Sequence, residues 1–344
     1  MTDYKITVLV TFYNQEEYVD QALESVFMQE TDFPFNVIVG DDGSTDNTVE
    51  KVRAWQSKYP GRLSIHVQDR EPGKKYIKGA RASRNRLAIL KQVEAPYFIF
   101  LDGDDYWTSS KKLQKQYDIL EKEENSDCVG CAHRIRMFNE NTPDRVGFIP
   151  GNSCRSGKYS LKRYWSNYYF HTDTILFRSS RISDLRWDLI QDSFNDNLIT
   201  YSFLQFGPLY FISECMADYR QNDKGIWAGE DLAVCMIREI MAYDLEIGIN
   251  PEMRRICRKR HLKNFNYYKN DPAAFERVGK EYLETAEKNN CMTAQKALNR
   301  QSLFTGSFQK DRALICVWNL EDRMDHLVLI PYRIYRRLRR GING

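Results

Sequence analysis

Runs of β-branched and aromatic residues alternate with amphipathic segments in the N-terminal part of the chain. Residues 6–14 and residues 35–40 are such runs, and each predicts a strand. Between them the spacing predicts a helix whose apolar face carries Tyr18, Ala22, Leu23, Val26 and Phe27. Strand, helix, strand is the first unit of a doubly wound sheet, so the predicted fold class is α/β, a mixed sheet flanked by helices.

Clustered acids follow the next apolar run, residues 97–100. They are Asp102, Asp104 and Asp105, with Gly103 between the first two. Neighbouring like charges are costly unless a cation or a ligand compensates them, and Mg²⁺ is commonly held by carboxylates together with substrate phosphates. The cluster therefore indicates a metal–diphosphate site, and an acidic loop without a ligand is the alternative.

The polar residues that follow the predicted strands should lie close together. In doubly wound sheets, ligands bind beyond the carboxyl ends of the strands. We therefore expect residues 11–14, 41–46 and 102–105 to line one cleft.

Five segments, in this order and spacing, resemble the family 2 glycosyltransferases of the GT-A fold. They are Thr11-Phe12-Tyr13-Asn14, Ser25-Val26-Phe27-Met28-Gln29, Asp41-Asp42-Gly43-Ser44-Thr45-Asp46, Ala82-Ser83-Arg84-Asn85 and Asp102-Gly103-Asp104-Asp105. The resemblance implies an inverting transferase that uses a nucleoside-diphosphate sugar, with a UDP-sugar expected, and Mn²⁺ or Mg²⁺. It also implies a hydroxyl acceptor on a glycan or lipid-linked molecule, in bacterial surface-polysaccharide synthesis.

The same resemblance implies roles for individual residues. Asp104 is the expected metal ligand, and Asp102 supports the metal or holds the donor ribose. Asp42 matches the family residue that reads the nucleotide base. The other expected donor-binding residues are Thr11, Tyr13, Glu16, Gly103 and Arg220.

A basic segment precedes the acidic motif. Residues 70–86, interpreted as a loop, contain one acid, Glu71, against Lys74, Lys75, Lys78, Arg81, Arg84 and Arg86. Arg and Lys form strong charge-assisted hydrogen bonds with phosphate, so this segment could clamp a diphosphate. Arg84 is the first candidate because it lies in the family-like segment, and Arg81 is the second. A solvated helix face is the alternative.

An inverting transfer needs a base that takes the proton from the acceptor hydroxyl. The candidates lie in residues 188–198. In the family an acidic pair opens the following helix, and a Gly, a strand and Tyr-Arg come after it. Gly207, the run 209–212 and Tyr219-Arg220 set this register on Asn195-Asp196. Asp196 is therefore the predicted base and Asp192 the second candidate, while a helix-capping aspartate is the alternative.

The acceptor half leaves further alternatives open. Residues 164–172 are rich in aromatic side chains, which suit either sugar contacts or the core. His171 or Thr172 resembles the acceptor-facing position of the family. Asn195 and Asn222 depart from the family pattern, in which an acid and a His are frequent.

Composition limits the function classes. The 344 residues, 42% of them hydrophobic, suit one catalytic domain with an appendage. The 50 basic and 47 acidic residues nearly balance, and we expect no nucleic-acid partner. Eight irregularly spaced cysteines indicate reduced thiols, and Cys128 and Cys131 near His133 are interpreted as buried strand residues rather than a zinc site.

No apolar run is long enough to span a membrane, and the N-terminus leaves no room for a signal peptide, so a cytoplasmic enzyme is expected. The predicted domains are a catalytic domain over residues 1–230, divided near residue 110 into a nucleotide-sugar half and an acceptor half, and a helical C-terminal region over residues 231–344. Residues 326–340 place five arginines beside aliphatic and tyrosine side chains without an acid. Such a tail predicts peripheral contact with the inner face of the cell membrane, and a solvated tail or an oligomer contact is the alternative.

Two other functions stay open. A nucleotidylyltransferase also has acidic metal ligands on an α/β sheet, but residues 11–14 are not the Gly-rich basic loop expected after its first strand. An inactive sugar-nucleotide-binding module is the second alternative. The intact acids Asp102, Asp104, Asp105 and Asp196 disfavour it.

Overall fold

The computed structural model describes residues 3–71, 73, 78–139, 146–190, 195–221, 242–270 and 312–321. The strands are β1 (Ile6–Phe12), β2 (Phe35–Asp41), β3 (Leu63–Val67), β4 (Tyr97–Asp102), β5 (Tyr106–Trp107), β6 (Gly130–Asn139), β7 (Gly147–Ile149), β8 (Gly157–Tyr159), β9 (Leu176–Arg178) and β10 (Leu209–Gln221). The helices are α1 (Val19–Phe27), α2 (Thr48–Lys58), α3 (Lys78–Leu90), α4 (Lys112–Glu121), α5 (Leu161–Asn167), α6 (Trp187–Ile190), α7 (Asp196–Phe203), α8 (242–249), α9 (Arg254–Asn270) and α10 (312–321).

These strands form one mixed sheet. Its order is β3-β2-β1-β4-β9-β6-β10-β5, with β7 beside β6 and β8 beside β10. Strand β1 lies parallel to both β2 and β4, and Thr11 pairs with Gly40 on one side and Asp102 on the other. The carboxyl ends of these three strands therefore meet at one edge, and the predicted α/β class is confirmed.

Both faces of the central strands are covered. Val8 and Val10 of β1 belong to one core with Leu23 of α1. Leu9, between them, belongs to a second core with Phe203 of α7. Because alternate residues serve two cores, β1 is apolar along most of its length, as expected for a strand buried on both faces.

The loop interpretation of the basic segment is wrong in its second part, since α3 begins at Lys78. This helix buries polar residues, among them Arg81, Asn85 and Arg86. Asn85 donates a hydrogen bond to the carbonyl of Gly40 at 2.9 Å. Polar residues on the buried face weaken the apolar periodicity by which a helix is normally predicted. Strands β7 and β8 likewise lie in a Gly-rich and Pro-rich stretch, a composition that is typical of loops.

The aromatic segment after β8 lies mainly in the core. Tyr164, Trp165 and Phe170 have no exposed surface, which confirms the core interpretation for these residues. Helix α9 packs on α5, where Arg260 Nη1 donates to the carbonyl oxygens of Trp165 and Tyr168 at 3.1 and 3.2 Å.

Part of the predicted helical C-terminal region is present as α8, α9 and α10. The basic tail lies outside the described residues. Within the described part of the chain, no helix is both long enough and apolar enough to cross a bilayer.

Candidate active site

Two loops at the edge of the sheet are joined by short polar side chains. Asn14 has a positive φ of 51°, and its side-chain oxygen accepts a hydrogen bond from the Thr45 N–H at 2.8 Å. The carboxylate of Glu16 accepts a hydrogen bond from the Asn47 N–H at 2.8 Å. These bonds fix the loop after β1 against the loop after β2. The expected role of Glu16 in donor binding stays a prediction.

Asp42 lies at this edge between two arginines. Its carboxylate is 2.6 Å from Arg70 Nη2 and 2.7 Å from Arg81 Nη2. The Arg70 guanidinium also stacks on the Tyr13 ring, 3.8 Å from the ring centroid. Burial raises the pKa of Asp42, and the two guanidinium groups oppose that shift. The structure thus brings together three predicted donor-binding residues, Asp42, Tyr13 and Arg81. Arg70, which was not predicted, lies in the same group.

Asp102 is held by a third arginine. Arg86 Nη2 donates to both carboxylate oxygens of Asp102, at 2.6 and 2.9 Å, and the Thr11 hydroxyl is 3.1 Å from Oδ1. The Nη1 atom of Arg86 lies 3.0 Å from Asp196 Oδ1. Burial alone would raise the pKa of Asp102, but Arg86, helped by His171, holds it below its usual range. One guanidinium therefore joins the acidic motif to the predicted base.

Gly103 has a steric reason to be glycine. A Cβ atom there would lie 2.1 Å from Phe12 Cδ1 and 2.7 Å from the carbonyl oxygen of Thr11. Its N–H donates to that same carbonyl at 2.9 Å. The turn between the acids is thus pressed against β1, and the donor-binding role of Gly103 stays a prediction.

Arg220 of β10 supports the acidic turn. Its Nε donates to the carbonyl of Asp104 at 2.9 Å, and its backbone N–H donates to Asp105 Oδ1 at 2.8 Å. Its guanidinium stacks on Tyr18 at 4.6 Å. Arg220 therefore lies beside the predicted metal ligand Asp104, which is partly exposed. Direct contact of Arg220 with the donor stays a prediction.

A buried group lies next to this turn. Asp105, His171 and Asp173 each offer a ligand atom, and these atoms lie within 4.8 Å of one another. Within the described residues, Asp105 Oδ2, His171 Nδ1 and both carboxylate oxygens of Asp173 have no hydrogen-bond partner. Burial raises the pKa of Asp105 and of Asp173, and the acids nearby raise both further.

The residues at this edge fit a divalent cation. Two carboxylates and an imidazole nitrogen are suitable ligands, and their spacing is close to the roughly 4 Å between opposite ligands of one small cation. The cation that the sequence predicts thus has two candidate ligand sets. One is Asp104 with Asp102, of which Asp102 is already held by Arg86, and the other is Asp105, His171 and Asp173.

The predicted base opens helix α7. Asn195 is the N-cap, since its side chain accepts a hydrogen bond from the Leu198 N–H at 3.0 Å. The capping role therefore belongs to Asn195 and not to Asp196. Asp196 is the next residue, its side chain 26% exposed. Its Oδ1 accepts no hydrogen bond within the described residues. Asp192 and Asn222 lie outside the described residues.

Helix α9 also reaches this helix. Arg260 Nη2 is 3.3 Å from the side-chain oxygen of Asn197, the residue after Asp196.

Of the candidate phosphate-binding residues, Arg84 lies partly buried on α3.

Sequence reasoning assigned no individual role to Arg70, Arg86 or Asp173, although Arg86 was counted in the basic segment. Arg70 follows β3, whose place beside β2 could have suggested a contact with Asp42. Arg86 lies five residues after Arg81 on α3, but the loop interpretation hid that helix. Asp173 had no sequence signal, because it lies in an aromatic segment with no other acid.

Comparisons with known proteins agree with this geometry. The chain resembles a protein of Mycobacterium tuberculosis with no described function, at 26% identity over 231 residues, which are 64% of this chain and 60% of that relative. It also resembles the poly(ribitol-phosphate) beta-N-acetylglucosaminyltransferase TarS of Staphylococcus aureus, at 36% identity over 151 residues, which are 41% of this chain and 24% of TarS. The crystal structure of S. aureus TarS 1–349 in complex with UDP-GlcNAc has the same fold, with a TM-score of 0.58, 19% identity and coverage of 78% of this chain and 74% of that one.

The chain thus matches less than two thirds of these curated relatives' lengths. The model of the family described as Glycosyl transferase family 2 matches residues 7–185, just over half of the chain. Together with the fold and the acidic edge of the sheet, this match shows that the chain belongs to glycosyltransferase family 2.

Proposed function

We propose that this chain is a metal-dependent inverting glycosyltransferase that moves a sugar from a UDP-sugar to a hydroxyl of a glycan or lipid-linked acceptor. The observation that carries the proposal is that three groups meet at one edge of the sheet. They are Asp42 with its two arginines, the acidic motif and Asp196. They supply, in that order, contacts for a nucleotide base, for a metal-bound diphosphate and for an acceptor proton.

The Asp42 group suits a uracil ring. The imide N–H of uracil donates a hydrogen bond and its two carbonyl oxygens accept them. Asp42 is an acceptor, and Arg70 and Arg81 are donors within 2.7 Å of it. The Tyr13 ring, 42% exposed, offers an aromatic face beside them.

The diphosphate would lie near the acidic motif. The acids there would hold a divalent cation, which would supply positive charge for the departing diphosphate. Asp104 is the partly exposed acid of the motif and is the proposed ligand on the donor side. Arg84 and Arg81 on α3 supply positive charge for phosphate oxygens.

Asp196 would act as the base. Its Oδ1 is buried and lies 3.0 Å from Arg86 Nη1, which leaves the second carboxylate oxygen, Oδ2, to accept a proton. It removes the proton from the acceptor hydroxyl as that oxygen bonds to the anomeric carbon. The bond from that carbon to the diphosphate oxygen breaks on the opposite face, and the configuration inverts.

The proposed acceptor class is based on the relatives named above and on the basic residues 326–340. TarS is named for transfer of N-acetylglucosamine to poly(ribitol phosphate), so a surface polymer with free hydroxyls is the proposed acceptor class. Hexosyl or N-acetylhexosaminyl groups are the proposed cargo. The basic residues 326–340 would hold the enzyme at an anionic cytoplasmic membrane surface, near a lipid-linked acceptor.

The function is tested with the full chain, Mn²⁺ and a panel of UDP-sugars and acceptors, by measuring UDP release and glycoside formation. Asp196→Asn should lower kcat by at least about 100-fold and change UDP affinity only slightly, because the proton comes from the acceptor. Asp184→Asn is the matched control, since Asp184 is an exposed acid paired with Arg181.

Two outcomes would contradict the proposal. Pyrophosphate release from a nucleoside triphosphate and a sugar phosphate would favour a nucleotidylyltransferase. Tight UDP-sugar binding without turnover for any acceptor would favour a binding module. If Asp196→Asn instead abolishes UDP binding, Asp196 serves the donor, and Asp192 becomes the candidate base.

A further inference from the structure

Arg86 contacts two carboxylates that come from distant parts of the chain. Asp102 ends β4, and Asp196 begins α7. Arg86 itself is 8% exposed and lies on α3, which packs against β1 and β2. Its Nη2 contacts both oxygens of Asp102, and its Nη1 contacts Asp196. The three side chains therefore form one bridge across the edge of the sheet.

The two ends of this bridge belong to different halves of the reaction. Asp102 lies in the motif expected to bind the metal and the donor, and Asp196 is the proposed base for the acceptor. Burial opposes the charge of Arg86, but Asp102 and Asp196 raise its pKa, so it stays cationic. A guanidinium is planar and offers several N–H groups at fixed angles, so it can hold two carboxylates in a defined relation. The ammonium group of a lysine offers a single point charge and cannot reproduce that geometry.

We propose that Arg86 is a positioning residue that couples the two half-sites, setting the base Asp196 in register with the donor motif through Asp102. This inference rests on the proposed role of Asp196. The contact occupies Oδ1 of Asp196 with a charge and leaves Oδ2 for the acceptor hydroxyl. A displacement of the base by about 1 Å can cost on the order of 100-fold in rate, so loss of the bridge should lower kcat although Arg86 touches neither sugar.

The test is a double-mutant cycle on kcat. Arg86→Lys should lower kcat by roughly 10- to 100-fold in the wild-type background. In the Asp196→Asn background the same change should lower kcat by less than about 3-fold, because the group that it positions is already gone. Its effect on donor KM, which acts through Asp102, should be the same in both backgrounds. Arg86→Gln serves as a second variant if the lysine retains a partial bridge.

Arg178→Lys is the matched control. Arg178 is also partly buried, and its guanidinium donates to the Tyr97 hydroxyl and to the carbonyls of Cys128 and Leu120, away from the acids. Its substitution should change thermal stability and change kcat by the same factor in both backgrounds. Circular dichroism and the melting temperature of every variant show whether the fold is retained.

The outcomes separate this inference from the function itself. If the effects of Arg86→Lys and Asp196→Asn on kcat multiply, Arg86 is only structural and the coupling is refuted, while the glycosyltransferase proposal stands. If Arg86→Lys has wild-type kcat, the bridge has no role in the reaction. If Asp196→Asn itself has wild-type kcat, the base assignment fails and the positioning role fails with it.

Discussion

Gly103→Ala should destabilise the protein because the turn between the acids leaves no room for a methyl group. The added Cβ would lie 2.1 and 2.4 Å from two atoms of the Phe12 ring and 2.7 Å from the Thr11 carbonyl oxygen. Ordinary contacts of this kind exceed 3.4 Å. The ring is 2% exposed and belongs to the core under α1, so it cannot turn away without displacing its neighbours.

The structure sets the size of the effect. Inserting a methyl group into a packed site costs about 1–3 kcal/mol. The Gly103 N–H bond to Thr11 would also weaken, and such a bond contributes about 0.5–1.5 kcal/mol. We expect a loss of about 2–4 kcal/mol in the free energy of unfolding, or roughly 3–6 °C in melting temperature for a chain of this size. Because Asp102 and Asp104 flank Gly103, UDP affinity in the presence of Mn²⁺ should fall as well.

Differential scanning fluorimetry and UDP titration check this expectation. Gly151→Ala is the matched control, since a Cβ at Gly151 meets no atom within 4 Å, and it should change the free energy of unfolding by less than about 0.5 kcal/mol. Phe12→Leu combined with Gly103→Ala should cost less than the sum of the two single changes, because both act on one contact. A Gly103→Ala protein with wild-type melting temperature and UDP affinity would refute the packing argument.

Three further predictions concern the acids. Asp104→Asn should abolish transfer and Mn²⁺-dependent UDP binding while the melting temperature changes little. Asp173→Asn should keep Mn²⁺-dependent UDP binding, as measured by isothermal titration calorimetry. If Asp173→Asn loses that binding and Asp104→Asn keeps it, the cation is assigned to Asp105, His171 and Asp173. Asp42→Ala should raise donor KM by roughly 10- to 100-fold with little change in kcat, since it removes charge-assisted bonds remote from the reacting carbon; unchanged KM would contradict the base-reading role. Burial raises the pKa of Asp105 and Asp173 above their unfolded values. Their contribution to stability is therefore complete below about pH 4, near the ordinary pKa of 3.8, and is lost as pH rises toward about 7, the value to which burial raises the pKa of Asp173. The melting temperature should fall between about pH 4 and pH 7, and Asp173→Asn should flatten that profile.

The sequence was sufficient to predict the strands that carry the site. Residues 6–14, 35–40 and 97–100 are apolar over their length and end in polar residues, and these features alone identify buried parallel strands with a ligand edge. Their adjacency in the sheet followed from the rules for doubly wound folds. These three strands and the polar residues at their carboxyl ends were therefore predictable.

Short strands and helices with polar buried faces were harder to predict. Strands β7 and β8 have three residues each, too few for a period to show. Helix α3 was hidden because Arg81, Asn85 and Arg86 lie on its buried face, where apolar residues are normally expected. The assignment of Asp196 came from the spacing of Gly207 and Tyr219-Arg220, which is a family signal rather than a physical one.

The partners of the acids explain both the success and the failures of sequence reasoning. A carboxylate at a strand end is visible in the sequence, but the cation that neutralises it comes from another element. Arg70 and Arg81 form ion pairs with Asp42. Arg86 forms ion pairs with Asp102 and Asp196.

Asp105 and Asp173 differ from these acids. Burying a charged carboxylate without compensation costs several kcal/mol, so the pair needs a proton or a metal ion. Both have raised pKa values and lie beside His171, and neither oxygen of Asp173 has a hydrogen-bond partner within the described residues. Protonation satisfies the pair at acid pH, and a divalent cation satisfies it when the carboxylates are ionised. The charges at the folded edge therefore indicate Asp105, His171 and Asp173 as a second place, beside the acidic motif, where a metal ion would stabilise the fold.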